Sequence, residues 1–455
     1  MDPITYTIAL GAAGAGGAAE SYWITIAYDD GESYDIESLT ADSDGNVYAT
    51  GRLNQSTGTT MPNKVGQYHA KYDQNGSYQL SRVWKATYNT VNARLQFNAV
   101  DSNGNIYIAG NQPYQIVSGN IVASGGFVAK YNAAGADQWD KILPATSHST
   151  TDTAFQFSCV RVDSSDNIIC TGRSRGGGIS PSGYYIQLAK FNTSGALTAE
   201  KAIYGSYVIQ TEGHSCAIDA SDNIFVNGYS NNASVTIKLN SSLAVQWARS
   251  YEMGGTEPMA LNMDADSSGN VYIRHYDYSD NIITKYNSSG TLQWQKQIAF
   301  DAVFGGGLAC DTSGNVYVSG TKTVSSVETL TIVKFNTSGT EQWKRQIKSS
   351  GGAVTGGGIF VAGDNLYVCA KIADSSGHTY GLVAKLLADG TLTGAHSTTD
   401  FGTITYESSS ISITTPTKTD SSYSANIANT SWTAGDSAMT EYSFTFADEE
   451  NITLS

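Results

Sequence analysis

Charge is scarce in this sequence. Only 15% of its 455 residues are Asp, Glu, Lys or Arg, against about a quarter in an ordinary globular chain. The charge present leans acidic, with 41 acidic and 26 basic side chains and a net charge of −15. No block of Lys or Arg occurs, so the electrostatic footprint that holds duplex nucleic acid or an anionic membrane is missing. Cysteine is sparse and odd in number: Cys159, Cys170, Cys216, Cys310 and Cys369, never as Cys-x-x-Cys. That pattern implies neither a disulfide framework nor a zinc site. All five fall on expected strands as small apolar residues, and a Cys159–Cys170 bridge across one hairpin stays open as an alternative. The six histidines form no His-x-x-x-His or His-Glu-x-x-His pattern, which removes the usual metalloenzyme signature. No stretch is apolar enough over its length to cross a bilayer. The first 19 residues contain Asp2 and no Lys or Arg, so the positive start of an export signal is lacking. Gly11 to Ala19 reads as a flexible tether.

What the chain has instead is a repeat. An apolar strand runs into Asp-x-x-Gly/Asp-Asn, a second apolar strand follows, then usually Lys-Tyr/Phe-Asn-x-x-Gly and often Trp. The Asn anchors are Asn46, Asn105, Asn167, Asn223, Asn270, Asn315 and Asn365, spaced by 59, 62, 56, 47, 45 and 50 residues. Asp at the first turn position accepts bonds from amides further along the turn, and Gly supplies positive φ. A period near 50 residues made of four short strands is the signature of a β-propeller. The expected fold is therefore all-β: a seven-bladed β-propeller over 21–396, a short N-terminal Gly/Ala-rich attachment segment over 1–20, and a small C-terminal β-module over 397–455.

Recurrence separates packing groups from reacting ones, because a catalytic group is needed once and a packing group in every blade. Lys71, Lys130, Lys190, Lys238, Lys285, Lys334 and Lys385 occupy one site in the third strands and are expected to pair with a turn Asp. Trp84, Trp139, Trp247, Trp294 and Trp343 recur in the fourth strands, with Ala199 in their place in blade three. The seventh repeat departs furthest, with Val361 where the turn Asp belongs and Gly394 where Trp belongs. Trp23, in a strand over 22–28 with no blade ahead of it, is expected to serve as the outer strand of blade seven and so close the ring. Thr391 to His396 is the competing candidate for that place. The tail is expected to dock on the propeller or on a neighbour, with pairing to Ile4–Leu10 as one mode.

Strand alternation places the tight turns on one face and the long connections on the other, among them Arg52 to Gly66, Asn111 to Gly125, Arg173 to Gly183 and Ile372 to Tyr380. Function tends to sit on variable loops carried by a rigid frame. The candidate binding residues on the long-loop face are Arg52, Tyr114, Arg173, Tyr184, Tyr185, His275 and Tyr380. Glu212 with His214, and His275 with Asp277, break the repeat and are the nearest approach to a catalytic pair, yet an unpaired His beside a carboxylate is ordinary on loops. Asp42 with Asp44, and Asp264 with Asp266, lack the full calcium-loop spacing. No catalytic residue, metal ligand or cofactor is assigned.

Two resemblances complete the reading. Asp-Ser-Ser-Gly-Asn-Val-Tyr, Asp-Thr-Ser-Gly-Asn-Val-Tyr-Val-Ser-Gly and Lys-Phe-Asn-Thr-Ser-Gly-Thr-Glu-Gln-Trp-Lys resemble β-propeller repeats of the SBBP type over about 36–396. Tyr6 to Gly17, with the Ser/Thr-rich tail, is similar to virion structural proteins of marine tailed phages. The implied role is a non-enzymatic virion protein, assembled in the host cytoplasm and extracellular in the mature particle. It would contact other virion proteins through 1–20 and 397–455 and present the propeller to a host glycan or protein, without nucleic acid or membrane insertion. A bacterial surface or secreted adhesin, and a glycan-active propeller enzyme, are the competing expectations.

Overall fold

In the computed structural model the chain is a seven-bladed β-propeller with no helix among the described residues. The structure describes residues 5–13, 20–27, 32–55, 65–85, 94–117, 120–144, 155–175, 184–205, 215–230, 233–252, 259–276, 280–301, 305–416, 419–422, 425–429, 440–443 and 449–452. Blades six, seven and one form one compact unit, and blades two to five form another.

Blade two shows the plan, with antiparallel strands Arg94–Val100, Ile106–Val117, Asn120–Tyr131 and Asp137–Pro144. Its first turn is built by one carboxylate. Asp101 Oδ1 accepts from the amides of Asn103 at 3.0 Å and Asn105 at 2.8 Å. Oδ2 accepts from Asn105 Nδ2 at 2.8 Å and from the Tyr107 hydroxyl at 2.9 Å. The Lys of the third strand pairs with the same group: Lys190 with Asp163 at 2.7 Å, Lys238 with Asp219 at 3.3 Å, and Lys130 with Asp101 at 3.9 Å. Blade seven dispenses with this turn. Ala362 pairs directly with Asn365, leaving Gly363 and Asp364 as a two-residue loop, with Gly363 at φ 56°.

The blades meet through one repeated joint. Within each unit, a fourth-strand Trp lies flat on the third-to-fourth turn of the next blade, an Asn-x-x-Gly turn in blades three and five and Leu387–Gly390 in blade seven. Trp139 Nε1 donates to the carbonyl of Thr193 at 3.1 Å, Trp247 Nε1 to Ser288 at 3.0 Å, and Trp343 Nε1 to Ala388 at 3.3 Å. Lys130, Lys238 and Lys334 donate to those same three carbonyls. A carbonyl oxygen has two lone pairs, so each accepts both donors without competition. The turn glycine serves twice here. Gly290 sits at φ 77°, and a Cβ on it would lie 2.7 Å from the Trp247 ring. Gly195 and Gly390 stand in the same relation to Trp139 and Trp343. Around these joints the apolar faces of neighbouring blades form continuous layers, such as Phe157, Val160, Cys170 and Ala189 with Tyr107, Ala109 and Val128.

Blade seven takes its fourth strand from the N-terminus. Glu20–Ala27 pairs antiparallel with Thr379–Leu387, placing Trp23 opposite Lys385. Trp23 Nε1 then donates to the carbonyl of Gln74 in blade one at 3.0 Å, and the ring covers Gly76. The competing segment goes elsewhere: Gly394–Ser397 pairs with Thr403–Ser408, itself the fifth strand of blade six.

Blade three lacks the Trp and blade four lacks the glycine. Ala199 stands at the Trp site, and Leu243 occupies the turn position at φ 63°. Leu243 is buried in the layer that Ala199 packs against. A left-handed Leu costs about 1–2 kcal/mol, and burying its side chain returns about 1.5–3 kcal/mol. The side chain fills the space that an indole takes at the other joints.

Both termini correct the sequence reading. Of the expected tether Gly11–Ala19, residues 11–13 instead belong to Thr5–Ala13, the fifth strand of blade seven, paired with Glu20–Ala27. Residues 14–19 lie outside the described residues. Nor do 397–455 form a separate β-module. The tail strands add singly to outer blade edges, Thr403–Ser408 on blade six, Ile413–Thr414 on five, Thr419–Ser422 on four, Ala425–Asn429 on three and Thr440–Ser443 on one. Glu449–Ile452 ends the series on blade seven, parallel to Thr5–Ala13, with Ile8 opposite Ile452. The physical reason is that each fourth strand presents a row of unpaired amides and carbonyls, which an extended segment satisfies through its backbone, with side-chain bonds such as Gln346 to Glu407 and Ser250 to Ser421 added.

Two outcomes follow. In a double-mutant cycle, Ala199→Trp alone and Leu243→Gly alone each destabilise by about 1–3 kcal/mol, while the pair recovers at least half of the summed loss in denaturant unfolding; additive losses would contradict the joint. Truncation after Ser412 uncovers outer edges of blades five, four, three, one and seven, so size-exclusion chromatography should show higher-order species that the full chain lacks.

Candidate functional site

The strand ends between second and third strands carry the candidate residues, and the structure divides them. Arg52 and Tyr184 lie in strands Val47–Gln55 and Tyr184–Phe191. Tyr114 lies in Ile106–Val117, which continues to a tight end at Val117 opposite Asn120. The expected loop over 111–125 is therefore an extended hairpin, because the polar stretch keeps its ladder bonds. Arg173, half-buried, stands opposite Ile186, with Tyr185 opposite Ser174 and Tyr184 opposite Arg175. Blade three thus brings Arg173, Tyr184 and Tyr185 to one hairpin end. Arg52 and Tyr380 belong to the other unit.

Three of the seven are corrected as contact residues. Tyr185, His275 and Tyr380 are 2%, 0% and 2% exposed. They are strand residues facing a neighbouring blade, so their polar tips serve internal bonds. Tyr380 donates its hydroxyl to Asp374 Oδ2 at 3.1 Å and meets Phe401 edge-on at 5.3 Å. The connection expected to be long over 372–380 is a tight turn in which Asp374 Oδ1 accepts from the amides of Ser376 and His378. Glu212, His214 and Asp277 lie outside the described residues, as do the connections over 56–64, 86–93, 145–154, 176–183 and 253–258.

The most developed polar cluster surrounds His275, in unit two between blades four and five. Its ring stacks on Tyr251 at 4.7 Å and 14°. Nδ1 lies 2.9 Å from Ser234 Oγ, and Nε2 lies 2.7 Å from Thr284 Oγ1. A neutral imidazole has one donor and one acceptor nitrogen, so one hydroxyl gives and the other receives. The Tyr251 hydroxyl donates to Gln295 Oε1. Ser234 and His275 stand as a nucleophile and base would, but the third position holds a hydroxyl in place of a carboxylate. Among the described residues both ring nitrogens meet hydroxyls and no carboxylate, and burial pushes the His275 pKa down to about 3. The cluster's chemistry is that of a blade joint. Ser234, Tyr251 and Thr284 were missed from sequence because their encounter depends on how two blades stack.

Other polar pairs are similarly internal. Gln187 donates to Glu200 at 2.9 Å. Among the described residues, no group of three or more His, Cys, Asp or Glu is placed to hold a metal ion. The Cys159–Cys170 alternative fails on register: Cys170 pairs with Val160, so the two thiols project from opposite faces. Cys159 belongs to the layer shared with blade four and Cys170 to the layer shared with blade two. All five cysteines are free thiols.

No family model matches the chain, and no curated protein matches it. Among solved structures, a protein of unknown function from Dyadobacter fermentans is similar over 79% of this chain and 96% of its own, at 11% identity and TM-score 0.43. The WD40 domain of Toxoplasma gondii coronin is similar over 83% and 89%, at 9% identity and TM-score 0.44. The NanB sialidase of Streptococcus pneumoniae is similar over 78% and 68%, at 12% identity and TM-score 0.41. Likeness at these identities carries no activity to this chain.

The buried imidazole links stability to pH. Its folded pKa lies below the unfolded value of 6.5, so the unfolded chain binds the proton first. The contribution is complete above about pH 6.5, falls by about 1.4 kcal/mol per unit below it, and levels off near the folded value. In His275→Gln, the loss of unfolding free energy between pH 6.5 and 4.5 should shrink by about 2–3 kcal/mol. An unchanged loss in urea titrations would show that the ring is solvated.

Proposed function

We propose that this chain is a non-enzymatic structural protein of a phage particle, of the SBBP-type propeller class, presenting its propeller for protein or glycan contact. The observation that carries this reading is the use made of the polar side chains. The Asp, Asn, Tyr, Lys and Trp of the repeats, the groups from which an active site would be assembled, are engaged in turns and blade joints in blade after blade. A frame whose ionisable groups are spent on its own geometry is suited to display. Variation is concentrated at the ends between second and third strands, where Arg52, Tyr114, Arg173 and Tyr184 lie. Tyrosines there offer broad amphipathic area to a sugar ring or a protein surface.

Attachment to other virion proteins through 1–20 and 397–455 takes a particular form in this reading. What these segments offer a neighbour is the outer edge and faces of rim strands such as Thr419–Ser422 and Glu449–Ile452. Such edges suit contact with a repeating shell or tail surface.

The decisive measurement is location. A C-terminally tagged copy should appear at regular positions on purified particles by immunogold microscopy, and its absence from particles sinks the proposal. On a glycan or host-envelope array, Tyr114→Ala and Tyr184→Ala should each weaken binding by roughly tenfold. Turnover of any glycan by the purified chain would overturn the non-enzymatic part.

A further inference from the structure

Three thiols lie in blades three and four, and the blade stacking brings two of them together. Cys159 sits in Phe155–Val162, the first strand of blade three, and Cys216 in Ser215–Ile218, the first strand of blade four. Their separation in sequence is 57 residues, yet Cys159 Sγ lies 3.4 Å from the carbonyl oxygen of Cys216, and both side chains belong to the one apolar layer between blades three and four. Both are buried, at 2% and 0% exposure. Arg161 is two residues beyond Cys159 on the same strand face. Its guanidinium donates to the Val160 carbonyl at 2.9 Å, which holds the cation next to the pair. No turn, joint or layer described above requires a thiol at either position.

We propose that Cys159 and Cys216 form a peroxide-oxidisable dithiol, in which Cys159 is the attacking thiol, Cys216 resolves it, and the product is a disulfide stapling blade three to blade four. Two features support the assignment of roles. Burial alone would raise the Cys159 pKa, but the bond with Cys216 and the Arg161 charge override it and hold the thiol down to about 7. Cys216 is pushed well up, first by burial and then by its neighbour Cys159, which suits it to the resolving role. Both thiols are buried, so hydrogen peroxide, the smallest reagent of its class, is the probe for the pair.

The chemistry balances in two steps. Cys159 thiolate attacks one oxygen of hydrogen peroxide, the S–O bond forms as the O–O bond breaks, and the departing hydroxide takes the thiol proton to become water. Cys216 sulfur then attacks the Cys159 sulfenic acid, the S–S bond forms as the S–O bond breaks, and hydroxide leaves with the Cys216 proton as a second water. Two thiols lose two electrons in total, and one peroxide is reduced to two waters. A thiol or dithiol reductant reverses the product.

The test uses the full chain, hydrogen peroxide and peptide mapping by mass spectrometry under non-reducing conditions. The expected product is a Cys159–Cys216 linked peptide pair that lacks two hydrogens and disappears on reduction. In Cys216→Ser, the same treatment should leave a sulfenic acid at Cys159, captured by dimedone. Arg161→Met should slow oxidation of the otherwise unaltered chain at neutral pH by roughly tenfold, by lowering the thiolate fraction. The proposal is overturned if the native chain gives no link, if the link runs through Cys170 instead, or if Cys159 oxidises no faster than Cys310. Mapping the native chain needs no variant, so a substitution that fails to fold leaves the test intact.

Discussion

One contact governs the packing of these blades: a flat indole laid on a turn that has no Cβ. Twisted sheets approach closely only where side chains leave room, and the Asn-x-x-Gly turn provides that room at its left-handed glycine. The indole fills it with one of the largest apolar surfaces available, and its N–H finds the carbonyl the turn exposes. A lysine from the same blade reaches the same carbonyl while pairing with the Asp of its own first turn. Turn, ladder and blade joint therefore share atoms. This coupling explains why the N-terminal strand must bring Trp23 to blade seven, whose own sequence supplies no indole.

The exception in blades three and four shows that the joint is a matter of volume. Ala199 and Leu243 reverse which side provides the bulk, and the layer between the blades stays closed. The strain of a left-handed leucine persists because the alternative is an unfilled gap of indole size, and cavities in such layers are costly. A similar economy holds for charge. Asp166 in blade three accepts from the amide and hydroxyl of Ser102 in blade two, and Asp222 in blade four accepts from Ser164. At the fourth turn position these two blades use Asp where blades one, two, five and six use Gly, and both Asp residues adopt positive φ.

A propeller solves its inner packing by repetition but leaves an outer edge on every blade. Here the tail answers that problem strand by strand, visiting blades six, five, four, three, one and seven. Among the described residues, blade two alone has four strands and no addition. Where edges and joints absorb the polar groups, few remain for reaction. The His275 cluster and the Cys159–Cys216 pair are buried, and both lie in layers between blades. Chemistry in this protein thus follows the stacking direction and not the strand direction.

Much of this was readable from residues alone, because it is local. Strand alternation, the Asp-led and Asn-led turns, the third-strand lysines and the orphan Trp23 each declare themselves within a dozen residues, where turn geometry and side-chain period leave little choice. The tail's destinations were not readable. A segment such as Thr419–Ser422 shows that it is extended, but edge pairing is made by backbone groups common to all residues, so composition carries no address. Tyr185, His275 and Tyr380 were misplaced for a related reason: irregular spacing resembles a loop until the neighbouring blade shows what the side chain faces. The meeting of Cys159 with Cys216 likewise exists only through stacking. Period and turn chemistry settle how each blade is made; which blade faces touch, and what closes their edges, depends on contacts between distant segments that no local pattern encodes.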